Sequence, residues 1–382
     1  MATDDPKQMH VGIVCQNFPP ATFEGGISHY THHLAKALIA HGHRVCALTS
    51  TEFTLRDTEL WAIAGLEVIR IQGPWNHRSV LEIKKTVTKK KFDAVLLQYS
   101  PASFKAAFRI TWALTPFPRQ KVTAFHTLWG GGLDRLVGLL MLVGCKKIIA
   151  TNSEVMTLLE RHFPMFLQKT YWIPIGSNIE PPEQNATEAN AREDHLFSYF
   201  GMLYPGKGLS LILSTLKGMK SRGCRFQFKF VGGGMLDAQD YEAHFQKEIL
   251  EKGLGNVAEH LGLLSNEEVS SWLSASRFIF LPYEMGLSDR RGSFMAAIAH
   301  GKPVLTSPPV VDMPYLKNGI NVLWPQHPTP EGYIEAAERL LTDDHLIRGL
   351  EEGARKLAQH FRWNRIAEDY LLALRSRPEQ QT

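Results

Sequence analysis

FIFLPYEMGLSDRRGSFMAAIAHGKPVLT, residues 278–306, contains a complete strand–loop–helix–strand unit. The apolar run FIFL predicts a strand, and the loop that follows it carries Arg290 and Arg291. A short helix then opens at Gly292 and closes at Gly301, before the next strand, VLT. A helix start offers free backbone N–H groups and a partial positive charge, which suit a phosphate. The segment therefore predicts an α/β fold with an anion site where its first strand ends, although a structural pair of arginines is the alternative.

The same alternation of short strands and helical patterns runs along most of the 382 residues. Continuous apolar strands joined by crossover helices are typical of parallel sheets covered on both faces. The predicted strands are 11–15, 45–49, 67–71, 94–98, 121–125, 148–151 and 171–173 in the first half, and 196–200, 226–231, 257–261, 278–281, 304–306 and 321–324 in the second. The pattern predicts two successive doubly wound domains.

A polar segment that begins with two prolines, residues 181–194, predicts the interdomain linker. We therefore expect one Rossmann-like domain at residues 1–184 and a second at residues 195–358. The last segment, residues 359–382, contains an amphipathic helix that we expect to return to the first domain. Ligands of such sheets bind at the carboxyl ends of the strands, so a cleft between two facing domains is the expected site.

The composition excludes several classes of protein. A net charge of +4, with no basic stripe interleaved with aromatic residues, argues against a nucleic-acid partner. The acidic start predicts no signal peptide, and the longest apolar run, residues 136–143, is far shorter than a bilayer span. The four cysteines lack metal-ligand spacing, and small buried hydrophobes are the simpler interpretation. We therefore predict a cytoplasmic protein.

A lysine cluster at residues 84–91 predicts a solvated helix face. A weak peripheral contact with the inner, anionic face of a membrane is the alternative.

Two further loops carry candidate phosphate contacts. Lys207 lies in GMLYPGKG, residues 201–208, directly after the first strand of the second domain, where its charge suits a pyrophosphate oxygen. Gly25 and Gly26 separate the first strand from the first helix and let a ligand approach the backbone. A solvated lysine and a plain flexible turn are the alternatives. No G-x-G-x-x-G follows the first strand, which argues against a dehydrogenase.

His126 follows the predicted strand 121–125 and precedes a glycine run, where it suits a hydrogen bond to a substrate hydroxyl. Gln98 and Tyr99 end the adjacent strand and are expected at the floor of the same site. Trp129 has the shape to stack on an acceptor, with ordinary packing as the alternative.

Together these motifs resemble the retaining glycosyltransferase family with the GT-B fold, which contains sucrose synthases and bacterial mannosyl- and N-acetylglucosaminyltransferases. The resemblance covers nearly the whole chain. It rests on Gly25–Gly26, His126, IPIGSN at 173–178, KG at 207–208, FVGG at 230–233 and AHGKPV at 299–304.

The resemblance implies a donor bound mainly by the C-terminal domain and an acceptor bound mainly by the N-terminal one. It also implies transfer with retention, without a metal or another cofactor, in which the departing phosphate helps to deprotonate the acceptor. His126 would contact the donor sugar. The implied catalytic residues are His126, Lys207, Arg290 and Arg291; the donor-binding residues are Gly25, Gly26, Gly201, Gly233, Gly262, Leu264, Glu284, Ser288, Asp289, Gly292 and Ser293; Gln98, Tyr99 and Trp129 lie on the acceptor side.

The chain departs from the family at three positions. Met202 stands where many members carry an arginine, and Ser288 and Ala296 stand where many carry glutamates. The form SxRRGS resembles a subset of the family, and our hypothesis is that Arg290 and Arg291 supply the missing charge. Glu284 and Asp289 are the candidates for a replacement carboxylate.

The expected donor is a nucleoside diphosphate sugar, with UDP favoured and GDP next because of their frequency in the family. The acceptor is left open among a saccharide, a lipid-linked carrier and a small molecule. The alternatives are a non-catalytic nucleotide-sugar-binding protein and an epimerase of the same fold. An epimerase needs more carboxylates and histidines in suitable positions than the sequence offers.

Overall fold

The computed structural model describes residues 8–19, 25–53, 63–128, 130–132, 134–182, 193–204, 206–233 and 239–376. The chain divides into two compact units, one formed by residues 1–176 with 363–382 and the other by residues 177–362. Most of the predicted linker, residues 181–194, lies outside the described part.

The first unit contains a seven-stranded sheet in which every pair of neighbouring strands is parallel. Its strand order is β3-β2-β1-β4-β5-β6-β7, so the order reverses between β1 and β4. The strands are β1 (His10–Val14), β2 (Arg44–Ser50), β3 (Leu66–Ile71), β4 (Ala94–Tyr99), β5 (Gln120–Phe125), β6 (Lys147–Ala150) and β7 (Thr170–Trp172).

Helices cover both faces of this sheet. They are α1 (Gly26–Ala40), α2 (His77–Lys90), α3 (Ala106–Leu114), α4 (Asp134–Gly144), α5 (Ser153–His162) and, from the chain end, α12 (Trp363–Arg375). Alternate strand residues separate two cores: Val95 and Leu97 pack with α2, α3, α4 and α5, whereas Ala94 and Leu96 pack with α1 and α12. Short 3-10 helices lie at Thr51–Phe53, Pro101–Ser103, Pro164–Lys169 and Gln359–Phe361.

Helix α12 is held to the first unit by polar contacts as well as by its apolar face. The hydroxyl oxygens of Tyr370 and Tyr30 lie 2.8 Å apart in the core. The ammonium of Lys147 donates to the carbonyl oxygens at the end of α12, including Leu374 at 3.3 Å. Burial lowers the pKa of Lys147 to about 8. Helix α12 is therefore an integral part of this unit.

The second unit contains a five-stranded parallel sheet in the order β10-β9-β8-β11-β12, which reverses between β8 and β11. The strands are β8 (Leu196–Phe200), β9 (Gln227–Val231), β10 (Ala258–His260), β11 (Ile279–Leu281) and β12 (Val304–Thr306). The helices are α6 (Leu209–Ser221), α7 (Gln239–Glu251), α8 (Asn266–Ala275), α9 (Gly292–Ala299), α10 (Pro330–Thr342) and α11 (Asp344–Ala358). Both sheets are doubly wound, so the predicted α/β class with two Rossmann-like domains is confirmed.

One predicted strand, residues 321–324, is wrong. Leu323 makes only an isolated bridge to Leu305, and the segment otherwise forms a loop. The reason is local competition from side chains: Asn318 accepts from the Trp324 amide at 2.9 Å and donates to its carbonyl at 3.0 Å. The Asn321 side chain likewise accepts from the Lys317 amide at 2.8 Å. The two bonds of Asn318 satisfy the amide and the carbonyl of Trp324, which a strand would use in a ladder.

The apolar run at residues 136–143 forms most of α4, and only one face of it is buried. Val137 and Met141 pack into the core, whereas Leu136 and Val143 are 64% and 60% exposed. Among the helices of the described part, none combines the length and the apolar character that crossing a bilayer requires.

Candidate active site

Both switch points of the fold carry loops that the sequence analysis selected. In the second unit, the loops after β8 and β11 touch: a Cβ on Gly208 would lie 1.9 Å from the carbonyl oxygen of Pro282. Gly208 has φ +76°, a left-handed conformation that favours glycine. Only glycine therefore permits the loop with Lys207 to approach the loop with the two arginines so closely.

Four glycines join the loops after β8, β9 and β10. The Leu203 amide donates to the carbonyl of Gly233 at 3.2 Å, and a Cβ on Gly232 would lie 2.6 Å from the Gly201 oxygen. Gly232 also forms a bridge with Gly262. The predicted donor-binding residues Gly201, Gly233 and Gly262 are thus brought together, and Leu264 follows directly and is half-buried.

Lys207 lies at the N-terminal side of α6. Its ammonium stands 4.7 Å from the centre of the Tyr204 ring, an arrangement that attracts a cation to the ring face. Because Gly208 is the N-cap residue of α6, the lysine charge adds to the partial positive charge of that helix start.

Arg291 is the N-cap residue of α9, and its guanidinium carbon lies 5.1 Å from the centre of the Tyr283 ring. The Tyr283 hydroxyl is 2.7 Å from that of Ser293, so the ring and the helix start are fixed together. Burial raises the pKa of Tyr199, and the charge of Arg291 opposes that rise. The Tyr199 hydroxyl donates to the Met202 carbonyl at 3.0 Å, so Tyr199 lies against the backbone of that position.

Arg290 differs from its neighbour in exposure. Its side chain is exposed, whereas Arg291 is half-buried on the Tyr283 ring. Among the two arginines, Arg291 therefore has the more fixed position.

The helix starts at the switch points have no capping side chain. The strands at the two switch points are β1, β4, β8 and β11, and the next α-helices along the chain are α1, α3, α6 and α9. None of these four helices has a side-chain hydrogen bond at its N-cap. Helices α2, α5, α8, α10 and α11 are capped by Asn76, Asn152, Ser265, Thr329 and Asp343. The uncapped N–H groups lie beside the strands where the sheet order reverses, which makes them available to an anion.

The two candidate carboxylates differ in their surroundings. Asp289 is fully buried, and its carboxylate accepts from the Tyr315 hydroxyl at 2.8 Å. Glu284 is exposed. Burial raises the pKa of Tyr241, and the charges of Glu248 and Glu284 raise it further. Ser288 is buried, and its carbonyl accepts from the Arg291 amide at 3.1 Å, which shapes the turn before α9.

In the first unit, His126 lies directly after β5 and both of its ring nitrogens have partners. Nε2 is 2.8 Å from Gln98 Oε1, and Nδ1 is 3.3 Å from Thr151 Oγ1. The Asn152 amide donates to the His126 carbonyl at 3.0 Å. The ring also packs edge-to-face on Tyr30, with centres 4.9 Å apart. These contacts fix the position of His126, and both ring nitrogens are engaged by residues of the first unit.

Burial lowers the pKa of His126 from 6.5 to about 3. Between these values the unfolded chain binds the proton and the folded chain does not, so the free energy of unfolding falls as the pH falls through this window. Above it, His126 stays neutral in both states. We expect the His126 ring signals in a two-dimensional NMR spectrum to stay constant from about pH 9 to about pH 5. Titration of these signals near pH 6.5 would contradict the buried neutral ring.

The remaining predicted residues of the first unit differ in their surroundings. Gly25 is the N-cap residue of α1, and a Cβ on Gly26 would meet no atom of the described residues within 4 Å. Gln98 is buried against His126. The side chain of Tyr99 packs in the core on Phe125, with ring centres 5.0 Å apart, so it does not face an acceptor, unlike our prediction. Trp129 lies outside the described residues.

Two tyrosines that support the site were not predicted from the sequence. Tyr283 supports Arg291, and its place directly after β11 was a usable signal. Tyr315 bonds Asp289 across 26 positions of sequence, and no local pattern points to it. In the described part of the chain, no three His, Cys, Asp or Glu side chains form a group suited to a metal ion.

Comparison with known proteins identifies the family of each domain. Residues 24–180 match the family model described as Glycosyltransferase Family 4, and residues 194–343 match the one described as Glycosyl transferases group 1. No sequence among the curated proteins matches the chain significantly.

Solved structures share the fold over nearly the full length. Anabaena Alr3699/HepE, solved with UDP and glucose, is 16% identical with a TM-score of 0.69, covering 97% of this chain and 100% of its own. Sucrose-phosphate synthase from Thermosynechococcus elongatus is 18% identical with a TM-score of 0.72, covering 95% and 97%. A glycosyltransferase from Rickettsia africae is 16% identical with a TM-score of 0.73, covering 96% and 98%. The chain thus joins a glycosyltransferase family 4 domain to a glycosyl transferases group 1 domain, and it is a glycosyltransferase with the GT-B fold.

Proposed function

We propose that the protein transfers a sugar from a nucleoside diphosphate sugar to an acceptor, with retention of configuration and without a metal ion. The observation that carries this proposal is the set of uncapped helix starts after β8 and β11, with Lys207 and Arg291 beside them. A diphosphate needs cations and N–H donors, and these two helix starts supply both. The N-terminal unit, with the returning α12, takes the acceptor in this proposal, and the second unit takes the donor.

UDP is the favoured nucleotide. The Anabaena relative was solved with UDP and glucose, and with UDP-glucose in a second structure. That relative shares the fold over nearly the full chain, and we infer a similar donor for this protein. GDP is the next candidate.

Each group has a stated task in the proposed reaction. As the bond between the sugar and the diphosphate breaks, negative charge grows on the leaving oxygen, and Lys207 and Arg291 stabilise it together with the N–H groups of α6 and α9. The departing phosphate takes the acceptor proton on the same face of the sugar. The electron pair of the broken sugar–diphosphate bond and the proton of the acceptor thus both end on the released nucleoside diphosphate.

His126 holds the sugar without exchanging a proton in this mechanism. Its pKa of about 3 keeps the ring neutral near neutral pH, so one ring nitrogen can donate a hydrogen bond and the other can accept one. Because both ring nitrogens have partners in its own unit, a hydroxyl of the donor sugar would have to share or replace one of them.

Glu284 is our candidate for the carboxylate that Ser288 and Ala296 do not supply. It is exposed in the donor loop, whereas Asp289 is engaged by Tyr315 inside the unit. Glu284 lies eight positions before the start of α9, and its exposed carboxylate can accept a hydrogen bond from a ribose or sugar hydroxyl.

The proposal is tested with a panel of UDP-, GDP-, ADP- and TDP-sugars in the presence of EDTA, by quantifying the released nucleoside diphosphate. We expect release from one donor above a blank without protein, which identifies the base and the sugar. Binding of a nucleotide sugar without release, even with saccharide, lipid-linked and small-molecule acceptors, would favour the non-catalytic binding protein instead.

A further inference from the structure

Helices α3 and α4 each present apolar residues to solvent. On α3 these are Ile110 and Leu114, which are 37% and 66% exposed. On α4 they are Leu136 and Val143, at 64% and 60%, with Leu140 partly buried between them. Within each helix the residues are three, four or seven positions apart, so they lie on one side. We call this surface the α3–α4 face.

The two stripes lie side by side. A Cβ on Gly144 would lie 2.3 Å from the Ala113 carbonyl oxygen, so the helices approach each other through their backbones at this end. Leu114 and Val143 adjoin these two residues in sequence. At the other end, Arg109 of α3 forms an ion pair with Asp134 of α4 at 2.7 Å. The exposed side chains therefore form one apolar surface rather than scattered single residues.

Cations predominate around this surface. Asp134 is the single acid between residues 105 and 146, and its charge is paired with Arg109. Exposed cations stand at both ends of the two helices: Lys105, Arg119, Arg135 and Lys146. Helix α2, which packs beside α3, adds exposed Leu81. It also carries three exposed cations, Arg78, Lys85 and Lys89, against one exposed acid, Glu82.

We propose that the α3–α4 face binds the surface of a membrane that contains anionic lipids. A protein partner with an apolar patch would satisfy the leucines and the valine alone. A surface with an apolar interior and negative headgroups satisfies both the apolar stripe and the cations at its rim. The helices lie along such a surface without spanning it, and the proposal is independent of the donor and of the transfer reaction.

The test is sedimentation of the full chain with phosphatidylcholine vesicles that contain either no or about one third phosphatidylglycerol. We expect binding to the anionic vesicles, weakened between about 0.1 and 0.5 M salt because screening removes the charge attraction. The double variant Leu114→Gln with Val143→Gln should lower the partition coefficient by about tenfold or more. Arg135→Gln with Lys146→Gln should reduce the preference for anionic lipid.

The matched control is Leu372→Gln. Leu372 is 66% exposed and lies on α12, which packs on the opposite face of the same sheet. This control should bind like the unchanged protein, and circular dichroism should show that every variant is folded. Equal loss in the control and in the double variant, or no vesicle binding by the unchanged protein, would overturn the proposal. Self-association of the chain that the double variant abolishes, without lipid binding, would assign this face to a second copy instead.

Discussion

Arg291→Ala is expected to lower kcat by about a hundredfold or more with the identified donor, since it removes a cation that stabilises the leaving diphosphate. The side chain occupies the N-cap of α9 and is held on the Tyr283 ring, so its charge acts from a fixed position. Lysine should restore only part of the rate, because it keeps the charge but lacks the planar fork and the ring contact. Steady-state release of nucleoside diphosphate measures both variants.

Arg290→Ala is the matched control for this prediction. Arg290 carries the same charge one position earlier but is exposed, so its removal should cost less than about tenfold. Thermal unfolding of both variants should match the unchanged protein, because neither arginine belongs to the core. Full activity of Arg291→Ala, or a larger loss from Arg290→Ala, would show that the compensation for Met202 is assigned to the wrong residue.

Gly208→Ala is expected to lower the free energy of unfolding by about 3 kcal/mol or more. The added Cβ would lie 1.9 Å from the Pro282 carbonyl oxygen, and the residue has φ +76°. The chain must move the loop of Lys207 away from β11 to relieve the clash, so transfer activity should fall as well. Urea unfolding gives the stability, and the donor assay gives the activity.

Gly223→Ala separates the clash from the backbone strain. Gly223 has the same φ, +76°, but a Cβ there meets no atom within 4 Å. Its substitution should cost only the left-handed strain, about 1 kcal/mol, and should leave turnover unchanged. Equal losses of stability from the two substitutions would mean that Gly208 does not lie in close contact with the Pro282 carbonyl oxygen.

The strands of both sheets could be predicted because buried parallel strands are continuous apolar runs, and the β4 segment Ala94–Tyr99 is buried at every position. The same property hides which side chains reach a ligand. Gln98 and Tyr99 end the same strand, yet Gln98 meets His126 and Tyr99 enters the core. Burial on both faces removes the alternation that would have separated them.

The support of the site could be predicted only in part. Lys207, Gly208 and the two arginines are local signals, since each lies in the segment between a strand and the next helix. The bond between Tyr315 and Asp289 joins residues 26 positions apart, and packing rather than sequence pattern decides it. The misassigned strand at residues 321–324 has the same cause, because the Asn318 side chain bonds the backbone groups of Trp324 that the apolar pattern assigned to a sheet.

The most direct test follows the reaction itself by proton NMR, with the nucleotide sugar, the acceptor and EDTA present. The account predicts that the anomeric signal of the donor disappears as nucleoside diphosphate forms, and that the new glycosidic signal has the same configuration. A product of opposite configuration, or a reaction that stops in EDTA and resumes with a divalent metal ion, would contradict it.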